Sequence, residues 1–102
     1  MIYLVDTVRV DEGNLAAYIG LLASTVRPSM ERAGAVFERC RTSGLGLGQP
    51  VDIELTWSFA DFAVWNHIRR SLVVDPAWYQ CSLSLAAMRL SGTRRFYDEV
   101  RA

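Results

Sequence analysis

The chain has 102 residues, 51% of them hydrophobic, and its eleven basic residues, all arginine, balance eleven acidic ones. That length predicts a single domain, 1–102, which buries roughly two thirds of its unfolded surface and needs no disulfide or metal to keep a core. Zero net charge supplies no field for nucleic acid or an anionic membrane surface, and no run of eighteen apolar residues spans a bilayer.

Residues 2–10 (IYLVDTVRV) are β-branched and aromatic, which predicts a strand, and both of its faces are largely apolar, which predicts a central one. Asp11, Glu12 and Gly13 make a turn, and Asn14 is placed to cap the following helix through its side-chain oxygen. Leu15, Tyr18, Ile19, Leu22 and Val26 recur at helical spacing as one buried stripe. Pro28 has no N–H for the helical ladder, so a kink is expected there, with a last turn ending near Gly34.

Residues 35–42 and 51–59 read as a second and a third strand, joined by the glycine-rich SGLGLGQP. A hairpin centred on that connection sets Arg41 against Asp52 and Arg39 against Glu54, with Ile53, Leu55, Trp57 and Phe59 facing the core. The connection opens no helix, so it is a hairpin tip rather than a phosphate loop. Ser58 followed by Asp61 has the look of a capping box for a helix over 60–72. Asp75-Pro76 starts another helix running to about Leu90, and residues 92–99 close the chain as a strand.

Strand, helix, strand, strand, helix in two parts, strand is the split βαβ order. It predicts an α+β, ferredoxin-like βαββαβ fold, with a four-stranded antiparallel sheet covered by helices on one face. The other face carries Arg39, Arg41, Asp52, Glu54 and Thr56 together with apolar groups of the first strand, a surface suited to a second copy of the chain. A homodimer is therefore expected. Cys40 and Cys81, forty-one positions apart with a single histidine in the chain, do not make a zinc ligand set. No metal or other cofactor is expected, and the start of the chain lacks a signal-peptide pattern, which predicts a cytoplasmic protein.

The run MIYLVDTVRVDEGNL, the later ERAGAVFERCRTSG, the strand end LTWSFAD and the helix start VVDPAWY resemble NIPSNAP-type members of the dimeric α/β-barrel superfamily. The resemblance covers nearly the whole chain. It implies a ferredoxin-like monomer whose sheet joins that of a second copy in a shared barrel. The wider superfamily includes cofactor-free monooxygenases, polyketide cyclases and haem-degrading enzymes, so the resemblance speaks to fold before reaction. The chain departs from the pattern at Leu4, where a charged residue is common in such proteins, and at Leu55, where histidine is frequent.

Three residues are candidates to move a proton. Asp6 is a carboxylate inside an apolar strand, to be met by a strand arginine such as Arg95 or to act as a general base. Tyr18 offers a hydroxyl on the helical stripe. His67 is the one histidine, and it projects off the Phe62, Trp65, Ile68, Leu72 stripe onto the polar flank of its helix. Trp57, Phe62, Trp65 and Tyr79 are candidates for the wall of a site for a flat hydrophobic molecule, and each has core packing as its plainer role. Two functions stay open: a cofactor-independent enzyme acting on an aromatic or polyketide-like substrate by oxygenation or by cyclisation/isomerisation, and a non-catalytic dimeric module that binds such a molecule or another protein.

Overall fold

The computed structural model describes residues 1–44 and 48–101. Its first strand, β1 (Ile2–Val10), is followed by a 3-10 turn (Glu12–Asn14), α1 (Leu15–Leu21), a π-helical turn (Leu22–Val26) and α2 (Arg27–Ala33). Strands β2 (Val36–Ser43) and β3 (Val51–Phe59), helices α3 (Phe62–Val73) and α4 (Pro76–Met88), and strand β4 (Arg89–Asp98) complete the chain. The four strands form one antiparallel sheet in the order β2-β3-β1-β4, so the apolar β1 is central as its composition requires. This is the ferredoxin-like α+β fold.

Register assigns each strand residue to a face. The pairs Ile2–Phe59, Leu4–Trp57, Asp6–Leu55, Val8–Ile53 and Val10–Val51 share the face beneath the helices. There Leu4, Val10, Val51, Ile53 and Trp57 lose nearly all their surface against Tyr18, Leu22, Val26, Trp65 and Ile68. The opposite face carries Tyr3, Val5, Thr7 and Arg9 of β1 beside Ser58, Thr56, Glu54 and Asp52 of β3.

Local chemistry explains the ends of the helices. Asp75 accepts hydrogen bonds from the N–H groups of Ala77 and Trp78, and Pro76 takes the first helical position of α4. Gly34, at φ 115°, closes α2 in a left-handed conformation that other residues adopt at a cost. The interruption expected at Pro28 is the π-helical turn immediately before it, and the chain stays helical through to Ala33.

Three expectations need correction. Asn14 makes no capping bond: the preceding 3-10 turn runs straight into α1, and Asn14 has near-helical φ −97°, ψ −4° rather than the extended backbone of a cap. The cap of α3 is Asp61, whose carboxylate accepts from Val64 N–H at 3.0 Å, whereas Ser58 lies inside β3 and donates to Glu38. The β2–β3 register is shifted by two, with Arg41 opposite Glu54 at 2.7 Å and Ser43 opposite Asp52. Asp52 instead pairs with Arg9 of β1, at 2.9 Å. Arg39 lies opposite Thr56 and still reaches Glu54 along the diagonal, at 3.9 Å, and beyond it a bulge between Phe37 and Arg39 moves the pairing by one more residue. Part of the glycine-rich connection, residues 45–47, lies outside the described residues. No helix among the described residues is long and apolar enough to cross a membrane.

Candidate functional site

The helices do not seal against the β1–β4 half of the sheet. Two adjoining hollows, of about 410 and 390 Å³, open there and share Asp6, Trp78, Ser82 and Arg94 as walls. The first runs under α1 and α4, where Tyr18, Leu22, Trp78 and Leu85 face Ile53 and Leu55 of the sheet. The second lies under α3 and α4 and is walled by Trp65, Leu72, Trp78 and Tyr79. Trp78, Ser82 and Leu85 line up because residues four and three apart stack on one face of α4.

Asp6 stands where the two hollows meet. Its even position in β1 aims it beneath the helices, next to Leu55 on one side and Arg94 on the other. Arg94 holds both carboxylate oxygens, with Nε at 2.7 Å and Nη2 at 3.0 Å. The guanidinium carbon of Arg94 also lies 5.3 Å from the ring centre of Trp65, so the cation is fixed from two directions. The partner is Arg94 and not Arg95, because Arg95 is opposite Val5 and belongs to the open face.

Tyr18 is 2% exposed, and its hydroxyl accepts a hydrogen bond from Nη2 of Arg89 at 3.3 Å. Arg89 is the first residue of β4, directly after α4, and it walls the first hollow beside Tyr18. The hollow therefore combines aliphatic and indole surface with one neutralised ion pair, one phenol and one further guanidinium.

The remaining candidates separate. Trp65 and Tyr79 wall the second hollow, and Trp65 stacks on Phe59 with centroids 5.7 Å apart. Trp57 is 1% exposed and lies at the other side of the fold, where it walls a smaller hollow of about 100 Å³ with Phe37, Cys40 and Arg27. Phe62 is half exposed and packs on Phe96 at 5.5 Å; it walls none of the three hollows. His67 also reaches none of them. It stays on the outer side of α3, exposed, with Ser71 donating to its backbone carbonyl at 2.9 Å, because Trp65 and Ile68 take the buried face. The structure thus brings Asp6, Tyr18, Trp65 and Tyr79 around one cleft and leaves out Trp57, Phe62 and His67.

Sequence reasoning passed over Arg89, Arg94, Trp78 and Ser82 as site residues. The i, i+4, i+7 spacing of Trp78, Ser82 and Leu85 was a usable signal. The arginines had none, since every residue of β4 is exposed and its polar and apolar residues do not alternate. Leu4 and Leu55, the two departures from the NIPSNAP pattern, are a core residue and a wall of the first hollow.

Chemically, the cleft can take an apolar, flat body between the sheet and α4, and it sets one carboxylate and one phenol against that body. Among the described residues no three His, Cys, Asp or Glu side chains converge as metal ligands do.

No protein-family profile matches the chain, and no curated protein sequence does. Solved structures do. An uncharacterised NIPSNAP domain protein from Burkholderia xenovorans superposes with a TM-score of 0.81 at 16% identity, over 98% of this chain and 95% of that one. A NIPSNAP family protein of unknown function from Agrobacterium tumefaciens gives 0.81 at 18% identity, over 99% and 89%. The cofactor-independent oxygenase SnoaB from Streptomyces nogalater gives 0.62 at 16% identity, over 99% and 94%. The chain therefore has a NIPSNAP-like, ferredoxin-like fold, one that proteins of unknown function share with an oxygenase.

Proposed function

We propose that the protein is a cytoplasmic, homodimeric, cofactor-independent enzyme that acts on a hydrophobic aromatic or polyketide-like molecule bound between the sheet and α4. The observation that carries this reading is the placement of Asp6: a carboxylate turned beneath the helices, at the junction of two aromatic-walled hollows. Each Asp6 oxygen accepts one bond from Arg94 and keeps lone-pair capacity for a substrate proton. Removal of an acidic O–H or C–H proton by Asp6 leaves a delocalised anion. That anion either cyclises or isomerises, or gives electrons to dioxygen, which is the oxidant in the oxygenation version. Tyr18 contributes a hydroxyl at the same cleft. The oxygenase among the structural neighbours supports the cofactor-free version of this chemistry.

The dimer is supported by the face away from the helices. Thr56 Oγ1 is buried there with no hydrogen-bond partner among the described residues. Tyr97 of the edge strand β4, opposite Tyr3 on that face, is 49% exposed, and Val36 of the edge strand β2, opposite Ser58, is 55% exposed. Such surface suits a second copy of the chain better than water.

A binding module is the competing reading, and one observation favours it: both oxygens of Asp6 are already engaged by Arg94. Oxygen uptake and product mass spectrometry over a panel of hydroxylated polycyclic aromatics separate the two. Turnover that disappears in Asp6→Asn while binding of the same compound persists supports the enzyme. Binding without turnover in the unaltered protein supports the module, and no binding by any member overturns both.

A further inference from the structure

The charges around the first hollow do not balance. Asp6 and Arg94 neutralise each other through two short hydrogen bonds. Arg89 walls the same hollow and forms no salt bridge among the described residues. Its one side-chain hydrogen bond there goes to a neutral acceptor, the hydroxyl of Tyr18. Tyr18 in turn is 2% exposed, and the proton of its hydroxyl is committed to no acceptor among the described residues. The hydroxyl therefore has its proton to offer into the hollow, next to a guanidinium with no carboxylate partner among the described residues.

From this we infer that Arg89 and Tyr18 form a subsite for a carboxylate, and that the ligand of the cleft is an amphipathic monoanion with an apolar, aromatic body and a carboxylate head. The inference rests on the proposed function, in that both place a hydrophobic molecule in this hollow, and it adds the charge and the polar group of that molecule. One carboxylate oxygen accepts from the Tyr18 hydroxyl and the other from the free N–H groups of Arg89, a charge-assisted contact. Leu22, Ile53, Leu55, Leu85 and Trp78 then cover the body. The same geometry discriminates against a neutral amide of equal shape. Such a molecule leaves the guanidinium without a counter-charge and sets an NH2 donor against donors.

The test compares 2-naphthoate with 2-naphthamide by isothermal titration calorimetry on the full-length protein. Naphthoate is expected to bind about tenfold more tightly or better, the ratio of one charge-assisted contact. Arg89→Gln is expected to bring that ratio to about one by weakening naphthoate alone, and Arg89→Lys to restore part of it. Unchanged naphthamide affinity in Arg89→Gln shows that the hollow itself is intact. Tyr18→Phe is expected to weaken naphthoate less than Arg89→Gln does. Equal binding of both probes by the unaltered protein overturns the carboxylate subsite while leaving a hydrophobic cleft in place. A preference that survives Arg89→Gln overturns the role of Arg89. Failure of both probes to bind overturns the subsite and the cleft together.

Discussion

Replacing Arg94 by Met tests whether Asp6 is held in a restricted environment or merely meets a surface cation. Met keeps the apolar stem that lies near Trp65 and removes the two hydrogen bonds, at 2.7 and 3.0 Å, that engage the carboxylate. The Asp6 side chain is 22% exposed and that of Arg94 is 50% exposed, so water screens the pair from one end only. Hydrogen bonds to charged groups contribute about 1.5–3 kcal/mol when shielded, and exposed ion pairs about 0–1 kcal/mol. A pair with one half-exposed member belongs between these, at about 1–2 kcal/mol, or a fall in Tm of roughly 5–12 °C for a domain of this size. Asp6→Leu is expected to cost less, about 0–1 kcal/mol, since Leu suits the neighbourhood of Leu55 and the freed guanidinium can turn to water. The double variant should lose less than the sum of the two singles, with a coupling of about 1 kcal/mol. Urea unfolding at one fixed protein concentration, followed by tryptophan fluorescence, measures all four proteins. Additivity within about 0.3 kcal/mol would refute the reasoning, because Asp6 would then be a solvated surface carboxylate with no special placement.

Trp57→Ala empties the centre of the core, where Trp57 is 1% exposed, and should cost about 3–5 kcal/mol or prevent folding, as read by the urea midpoint. Asp75→Ala removes the acceptor for Ala77 and Trp78 N–H, and is expected to cost about 1 kcal/mol, or 4–8 °C in Tm. The hydrogen bond from Arg9 holds the Asp52 carboxyl below its ordinary value of 3.8. Its contribution to stability is therefore present above that value and lost as pH falls through the lower folded value, and Asp52→Asn should flatten that part of a stability–pH profile. Desolvation pushes both thiols up, so access separates them: Cys81 is buried and Cys40 exposed, and a thiol reagent should label Cys40 in the native protein and Cys81 only on unfolding.

The order of elements was legible because each buried segment carries its own period. Alternation in 51–59, the stripe from Leu15 to Val26 and the Asp-Pro start at 75–76 all agree with where the core lies. Asp6 stood out for the same reason, as a charge that breaks an apolar pattern. What pairs with it did not, since β4 is an exposed edge strand with arginines at two successive positions, and no burial pattern tells one from the other. The shift in the β2–β3 register has another origin: the register of a hairpin is set by its connection, and the glycine-rich run between β2 and β3 offers several equivalent places for the tip. The aromatic candidates divided according to depth, which spacing alone does not give. Trp57 and Trp65 are both buried, yet only Trp65 borders the cleft that holds Asp6.

Helix α4 ends at Met88 and strand β4 begins at Arg89, with no linking residue, the change of conformation being made by Arg89 itself at φ −80°, ψ 124°. The ladder is nevertheless irregular at this point: Leu90 has no partner in β1, where the pairing passes from Val10–Arg89 to Arg9–Ser91. Arg89 and Arg94 are five positions apart, and in an unbroken strand they would point to opposite sides of the sheet. The unpaired residue puts both opposite even-numbered residues of β1, on the side where Asp6 lies. The cleft thus owes its second cation to a single bulge.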